Sequence, residues 1–369
     1  MPGMTVLLLL AGFVLLVAGA EALVRAAVRL AGATGLSPLV IGLTVVAYGT
    51  SAPEFAASLG AALTGVPDLA LGNVIGSNIA NVLLILGATA LAAPLVVSRQ
   101  MVRLDVPIMV GVSLLAFALA ADGRLGRGDG LLLLAGGVGY SVLLVWMGKR
   151  KPDDAVAPEV ETTPVRWGRD IGLLLSGLAA LVLGARWLVE GAVAVAGLFG
   201  MSELVIGLTV VAVGTSLPEL ATSILAAMRG QRDLAVGNIV GSCIFNLLLV
   251  LGATAAIAPG GIAVGGGVLG FDLPVMTAVA LACLPIFFTG HEIARWEGAL
   301  FLGYYIAYTA YLWLDSTHNA ALPMYSLAMM AFVVPLTVVT LAIVTLRAWR
   351  HRRGRSGAAP VAGGLRDDG

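Results

Sequence analysis

Residues 42–90 and 207–255 align without a gap at a constant offset of 165, and 32 of the 49 positions are identical. The first copy reads GLTVVAYGTSAPE and then DLALGNVIGSNIANVLLILGATA; the second reads GLTVVAVGTSLPEL and then DLAVGNIVGSCIFNLLLVLGATA. Weaker echoes extend outward, Asp105-Val106-Pro107 answering Asp272-Leu273-Pro274 and Arg127-Gly128-Asp129-Gly130 answering Arg295-Trp296-Glu297-Gly298. A chain duplicated in this way folds as two like halves, and a site between them draws the same residue types from each.

The duplicated segments are almost free of charge. Of 369 residues 59% are apolar and 11% charged, with a mean hydropathy of +1.00, whereas a soluble domain carries about 25% charged residues. That deficit excludes a large soluble enzyme, a disordered chain and a nucleic-acid binder, and a formal net charge of zero leaves no field for polyanions. Helical spans of about 20 apolar residues are predicted near 4–24, 37–64, 69–93, 104–121, 130–147, 171–198, 203–228, 234–258, 272–289, 298–314 and 323–346, eleven in all. No Lys or Arg precedes the first run, so it reads as a span and not as a signal peptide. The expected fold is an all-α polytopic membrane protein. It divides into a first five-helix repeat (1–147), a cytoplasmic linker (148–169), a second repeat (170–315), an extra transmembrane helix (316–349) and a basic, disordered tail (350–369).

Five helices per repeat is an odd number, so the second copy enters the membrane from the opposite side. Inverted repeats of this kind mark secondary transporters, whose sites lie near the midplane where the repeats meet. With the N-terminus outside and the C-terminus cytoplasmic, eighteen Lys and Arg fall inside and three, Arg124, Arg127 and Arg186, fall outside, which is the bias that sets orientation. A bacterial inner membrane is the expected location.

Glu54 is the only charged residue between Leu36 and Pro67, and Glu219 the only one between Leu204 and Met228. A charge at a helix centre costs roughly 2.5–3.5 kcal/mol on insertion scales, which is tolerated where the group faces a cavity and binds a cation. Pro53 and Pro218 each remove a helical N–H just before the Glu, which frees carbonyls four residues back. Thr50, Ser51, Thr215 and Ser216 add hydroxyls at the same level. In the next helix of each copy, Ser77 and Asn81, and Ser242 and Asn246, stand four apart and so share a face. Every donor in this set is oxygen. His291, His318 and His351 sit in or near loops, which speaks against zinc or copper. Ca²⁺ accepts six to eight oxygens in flexible geometry, and the same carbonyls and hydroxyls suit Na⁺.

GTSxPE paired with GNxxGSNxxN resembles the repeats of the cation/Ca²⁺ exchanger superfamily, and most of all its prokaryotic sodium/calcium exchanger branch. The resemblance spans residues 1 to about 315. It implies a ten-helix core in which Glu54 and Glu219 bind Ca²⁺, while Thr50, Ser51, Ser77, Thr215, Ser216 and Ser242 line the Ca²⁺ and Na⁺ sites. Backbone carbonyls near Ala47 and Ala212 contribute, and access alternates as the first and sixth helices slide past the core. One departure bears on coupling: some sodium/calcium exchangers carry Asp where this chain has Asn81 or Asn246, and proton/calcium exchangers also use paired Asn. The Thr-Ser pairs tilt the reading toward Na⁺.

The expected function is therefore Ca²⁺/Na⁺ antiport, with Ca²⁺/H⁺ antiport as the alternative and a channel or a Na⁺-coupled solute symporter behind it. No enzymatic chemistry, resident cofactor or obligate protein partner is implied; the partners are the ions and membrane lipid. Asp68, Asp105, Asp233 and Asp272 read as helix N-caps, Asn73 and Asn238 as helix contacts, and Cys243 as packing. Glu21 with Arg25 and Arg186 with Glu190 read as pairs within their helices.

Overall fold

The computed structural model describes residues 2–65, 67–148, 166–198, 212–288, 291–340, 342–343 and 346. Most of the expected linker, all of the expected tail and residues 203–211 of the seventh expected span lie outside these residues. The first half of the chain consists of α1 (Pro2–Thr34), a broken pair α2 (Pro38–Thr50) and α3 (Ala52–Leu63), α4 (67–92), α5 (Met101–Ala120) and α6 (Arg127–Gly148). The second consists of α7 (Trp167–Leu198), a single turn at Ala212–Gly214, α8 (Leu217–Met228), α9 (Arg232–Ile257), α10 (Val268–Phe288) and α11 (Arg295–Ser316), and α12 (Leu322–Thr340) follows. Eight of these helices are long and apolar enough to cross a membrane, and α2 with α3, bent by 45°, makes a ninth.

The eleven expected spans need two amendments. Hydropathy ends the first span at 24, but α1 continues to Thr34 because its charged residues are paired: Arg25 and Arg229 both reach Glu21, the latter at 2.6 Å, and Arg29 reaches Asp170 at 3.1 Å. The tenth span, α11, is a 22-residue helix, but its polar ends and its tyrosines place it below the apolar level of the others.

α1 and α7 pack through glycines. A Cβ on Gly12 would lie 2.8 Å from Leu188 N and 2.9 Å from Gly184 O, and one on Gly19 would lie 2.8 Å from both Gly177 O and Leu181 N. Small residues let helix backbones approach this closely within a bilayer. The pairings run in opposite senses along the two helices, as they must for the first helices of inverted copies. The same logic recurs in the core. Gly87 of α4 abuts Gly298 of α11, and Gly252 of α9 abuts Gly130 of α6, so the third helix of each half packs on the fifth helix of the other.

Two short antiparallel ribbons repeat the exchange. β1 (Leu95–Val96) pairs with β4 (Glu292–Ile293), and β2 (Arg124–Leu125) with β3 (Ile262–Ala263), so each ribbon takes one strand from each half. Three of the expected N-caps are corrected. Asp105 makes no cap bond; it accepts from Tyr140 Oη at 3.0 Å and Gln100 Nε2 at 3.2 Å. Asp272 likewise accepts from Tyr308 Oη at 3.0 Å, and Asp233 lies inside the first turn of α9, after Gln231. In each half a buried or half-buried Asp thus tethers the fourth helix to the fifth.

Candidate cation site

The site is built on two helix breaks. Ser51 leaves helical geometry at φ −84°, ψ 7° and Ser216 at φ −90°, ψ 7°, and each new helix starts with Pro at its second position. Glu54 and Glu219 therefore fall in the first turns of α3 and α8, where a helix N-terminus favours negative charge. Both carboxylates are 1% exposed.

The halves meet crosswise. Ser51 Oγ donates to Glu219 Oε1 at 2.8 Å, and Ser216 Oγ to Glu54 Oε1 at 3.5 Å. Thr50, fully buried, donates to Asn238 Oδ1 at 3.1 Å. Asn238 in turn donates to Ser223 Oγ at 2.9 Å and the Glu219 carbonyl at 3.5 Å, while Asn73 donates to Ser58 Oγ at 2.9 Å and the Glu54 carbonyl at 3.3 Å. The expected helix contacts of Asn73 and Asn238 are thus the struts that fix each carboxylate-bearing turn to the following helix. Ser58 and Ser223, which sequence reasoning missed, complete them; their signal was identity at matching positions of the two copies.

Asn81 and Asn246 each open a π-helical turn, Asn81–Leu86 in α4 and Asn246–Val250 in α9, a local widening that recurs at functional sites. Both Asn side chains are 1% exposed, and Ser77 and Ser242 are buried a turn before them. Among the described residues, Glu54 Oε2, Glu219 Oε2, Asn81 Oδ1, Asn246 Oδ1 and Ser242 Oγ are buried with no hydrogen-bond partner. All five are oxygens and four of them can only accept. Burying unpartnered acceptors costs free energy unless something positive or a donor completes them, and neither carboxylate forms an ion pair among the described residues.

Ser51 N–H bonds Ala47 O at 3.0 Å, and Ser216 N–H bonds Val213 O at 3.1 Å. Thr215 is half-buried. Asn78, with both amide atoms buried and unpartnered, stands where the second copy has Cys243, whose Sγ lies 4.0 Å from Asn78 O.

The fold is a duplicated, helical membrane bundle whose halves meet at two helix breaks lined by buried, unpartnered oxygens. The sodium/calcium exchanger protein family matches residues 4–146 and 170–314, and the chain belongs to it. The chain is 44% identical to CaxA of Alkalimonas amylolytica over 81% of its own length and 95% of that protein's. It is 35% identical to the sodium/calcium exchanger MaX1 of Methanosarcina acetivorans, over 83% and 97% respectively. Among solved structures, the sodium-calcium exchanger NCX_Mj soaked with zero Na⁺ and Ca²⁺ superposes with a TM-score of 0.72 at 31% identity, covering 85% of this chain and all of that one. The protein is an integral membrane antiporter of the exchanger family.

Proposed function

We propose that this chain exchanges Ca²⁺ for Na⁺ at one site between its halves, by alternating access. The observation that carries the reading is the crosswise pairing, in which each Glu gives one oxygen to a serine of the other half and keeps the second unpartnered. Two carboxylates balance one Ca²⁺, and Asn81, Asn246, Ser242 and Ser77 supply the neutral oxygens such an ion accepts. Thr50 and Thr215, with the carbonyls of Ala47 and Ala212, extend the set toward the smaller charge of Na⁺. The ions are substrates, and no bond chemistry is involved.

The antiparallel α1–α7 pair is the element that slides to open the site to either side; its backbones meet at Gly12, Gly19, Gly177 and Gly184, with Leu9 and Leu188 seated over glycines of the facing helix. The arginine bias supports an N-terminus outside and a cytoplasmic C-terminus. CaxA, MaX1 and NCX_Mj each match more than four-fifths of this chain, and the latter two are named as sodium/calcium exchangers.

The test is ⁴⁵Ca²⁺ uptake into proteoliposomes loaded with Na⁺ and diluted into choline, beside a matched set carrying only a pH gradient. Uptake that requires internal Na⁺ is expected. Uptake that follows the proton gradient alone would retain the Ca²⁺ site and replace the coupling ion.

A further inference from the structure

Two buried hydroxyls do not bond as helical threonines elsewhere in the chain do. Thr44, Thr254, Thr277 and Thr309 each donate to the carbonyl four residues back, at 2.6–3.0 Å, the usual outlet for a hydroxyl inside a helix. Thr89 and Thr222 are wholly buried, yet neither hydroxyl has a partner among the described residues. Such a group costs free energy that a bond to its own helix would recover, so packing alone does not account for the two.

Both lie beyond the carboxylates in one direction. α8 packs along residues 81–92 of α4, while α11 takes the Gly87 and Ala90 face of that stretch, which leaves Thr89 off the α11 contact. α8 turns back into α9, which as the inverted copy opposes α4, so α8 and α4 run the same way. Thr222 follows Glu219 by one turn on the same face, about 5 Å along the axis, and Thr89 follows Asn81 by about 12 Å.

Their counterparts at the other end of the molecule differ. Thr254, the equivalent of Thr89, bonds to Val250 O at 2.7 Å, and Ala57, the equivalent of Thr222, has no hydroxyl and is exposed. Ala56 and Gly60 of α3 are exposed too, whereas Ala221 and Leu225 of α8 are half-buried. α1 packs on α8, and its Glu21 holds Arg229 at the end of that helix at 2.6 Å. The second copy is covered where the first is open.

We infer that Thr89 and Thr222 line the passage by which the cation leaves the carboxylates along α4 and α8, their hydroxyls replacing water on a Ca²⁺ or Na⁺ ion. The inference rests on the exchange reading. Inverting the two copies makes α8 as open as α3 is here, which brings both hydroxyls to water and ion; in the state described, α1 closes that side.

Thr89→Val combined with Thr222→Val removes both hydroxyls and keeps the shape. The purified double variant is expected to bind ⁴⁵Ca²⁺ with wild-type affinity, but to take it up several-fold more slowly into Na⁺-loaded proteoliposomes. Thr89→Ser combined with Thr222→Ser is expected to restore the rate. A double valine variant that exchanges at the wild-type rate, or that loses Ca²⁺ binding together with transport, would overturn the inference. Access is read without transport. Thr222→Cys is expected to react with a charged methanethiosulfonate faster than the native Cys283, which is fully buried, the two sites being resolved by peptide mass spectrometry. Labelling no faster than Cys283 would also overturn the inference, whereas wild-type protein that takes up no Ca²⁺ under a Na⁺ gradient would overturn the exchange reading instead.

Discussion

Glu54 and Glu219 are each held by one hydroxyl from the opposite half and by the Asn that bonds their own carbonyl, so their positions are set before any ion arrives. Glu54→Gln or Glu219→Gln keeps the shape and removes the charge. Each is expected to abolish Ca²⁺ uptake while the protein still inserts and elutes as a single species; uptake surviving in both would sink the assignment. The two serines are not equivalent. Ser51 sits 2.8 Å from its carboxylate and Ser216 3.5 Å from its own, and a hydrogen bond to a charged group contributes about 1.5–3 kcal/mol. Ser51→Ala should therefore weaken Ca²⁺ affinity by about tenfold or more and Ser216→Ala by less, read from the concentration dependence of uptake. Nearly all of these residues were legible from duplication alone, because Glu, Ser, Thr and Asn recur at an offset of 165 in an otherwise apolar setting. The crosswise partnership was not, since sequence aligns equivalent residues and says nothing about which opposite residue each one meets.

At the scale of elements, the apolar runs located the spans and the paired prolines located the breaks. The ribbons escaped notice because two-residue strands have no period to detect. The Asp–Tyr tethers escaped because an Asp just before a Pro looks like a cap, and only the fold brings Tyr140 and Tyr308 alongside. Glycine shows what sequence leaves ambiguous. On α6, a Cβ at Gly130 would lie 2.4 Å from Ala256 N, whereas one at Gly139 would meet nothing within 4 Å. Gly130→Ala should force α6 off α9 and cost about 1–3 kcal/mol, as overpacking does. Gly139→Ala should be neutral or add up to about 1 kcal/mol from helix propensity. Thermal melting of the two variants in detergent checks the sign: a lower midpoint for the first only. Equal midpoints would mean the α6–α9 contact is looser than described.

At the scale of the whole molecule, many of the interfaces that build the core join one half to the other. α1 lies on α7, the third helix of each half packs on the fifth of its counterpart, both ribbons are mixed, and each carboxylate takes its hydroxyl from across the divide. α12 joins none of these interfaces, so deleting residues 320–369 is expected to preserve Na⁺-driven Ca²⁺ uptake; its loss in a properly inserted truncation would place the helix in the transport cycle. The halves themselves should be inseparable. A first half expressed alone would present the faces around Gly12, Gly87 and Gly130 to lipid and leave β1 and β2 without partners, so neither half has a complete core. Expressed as separate chains cut at residue 158, the two halves are therefore expected to accumulate and transport Ca²⁺ only when made together, with co-elution in size-exclusion chromatography as the physical readout. A first half that is stable and monodisperse on its own would show that the exchanged contacts are dispensable, and the account of the fold as two mutually completed copies would fail.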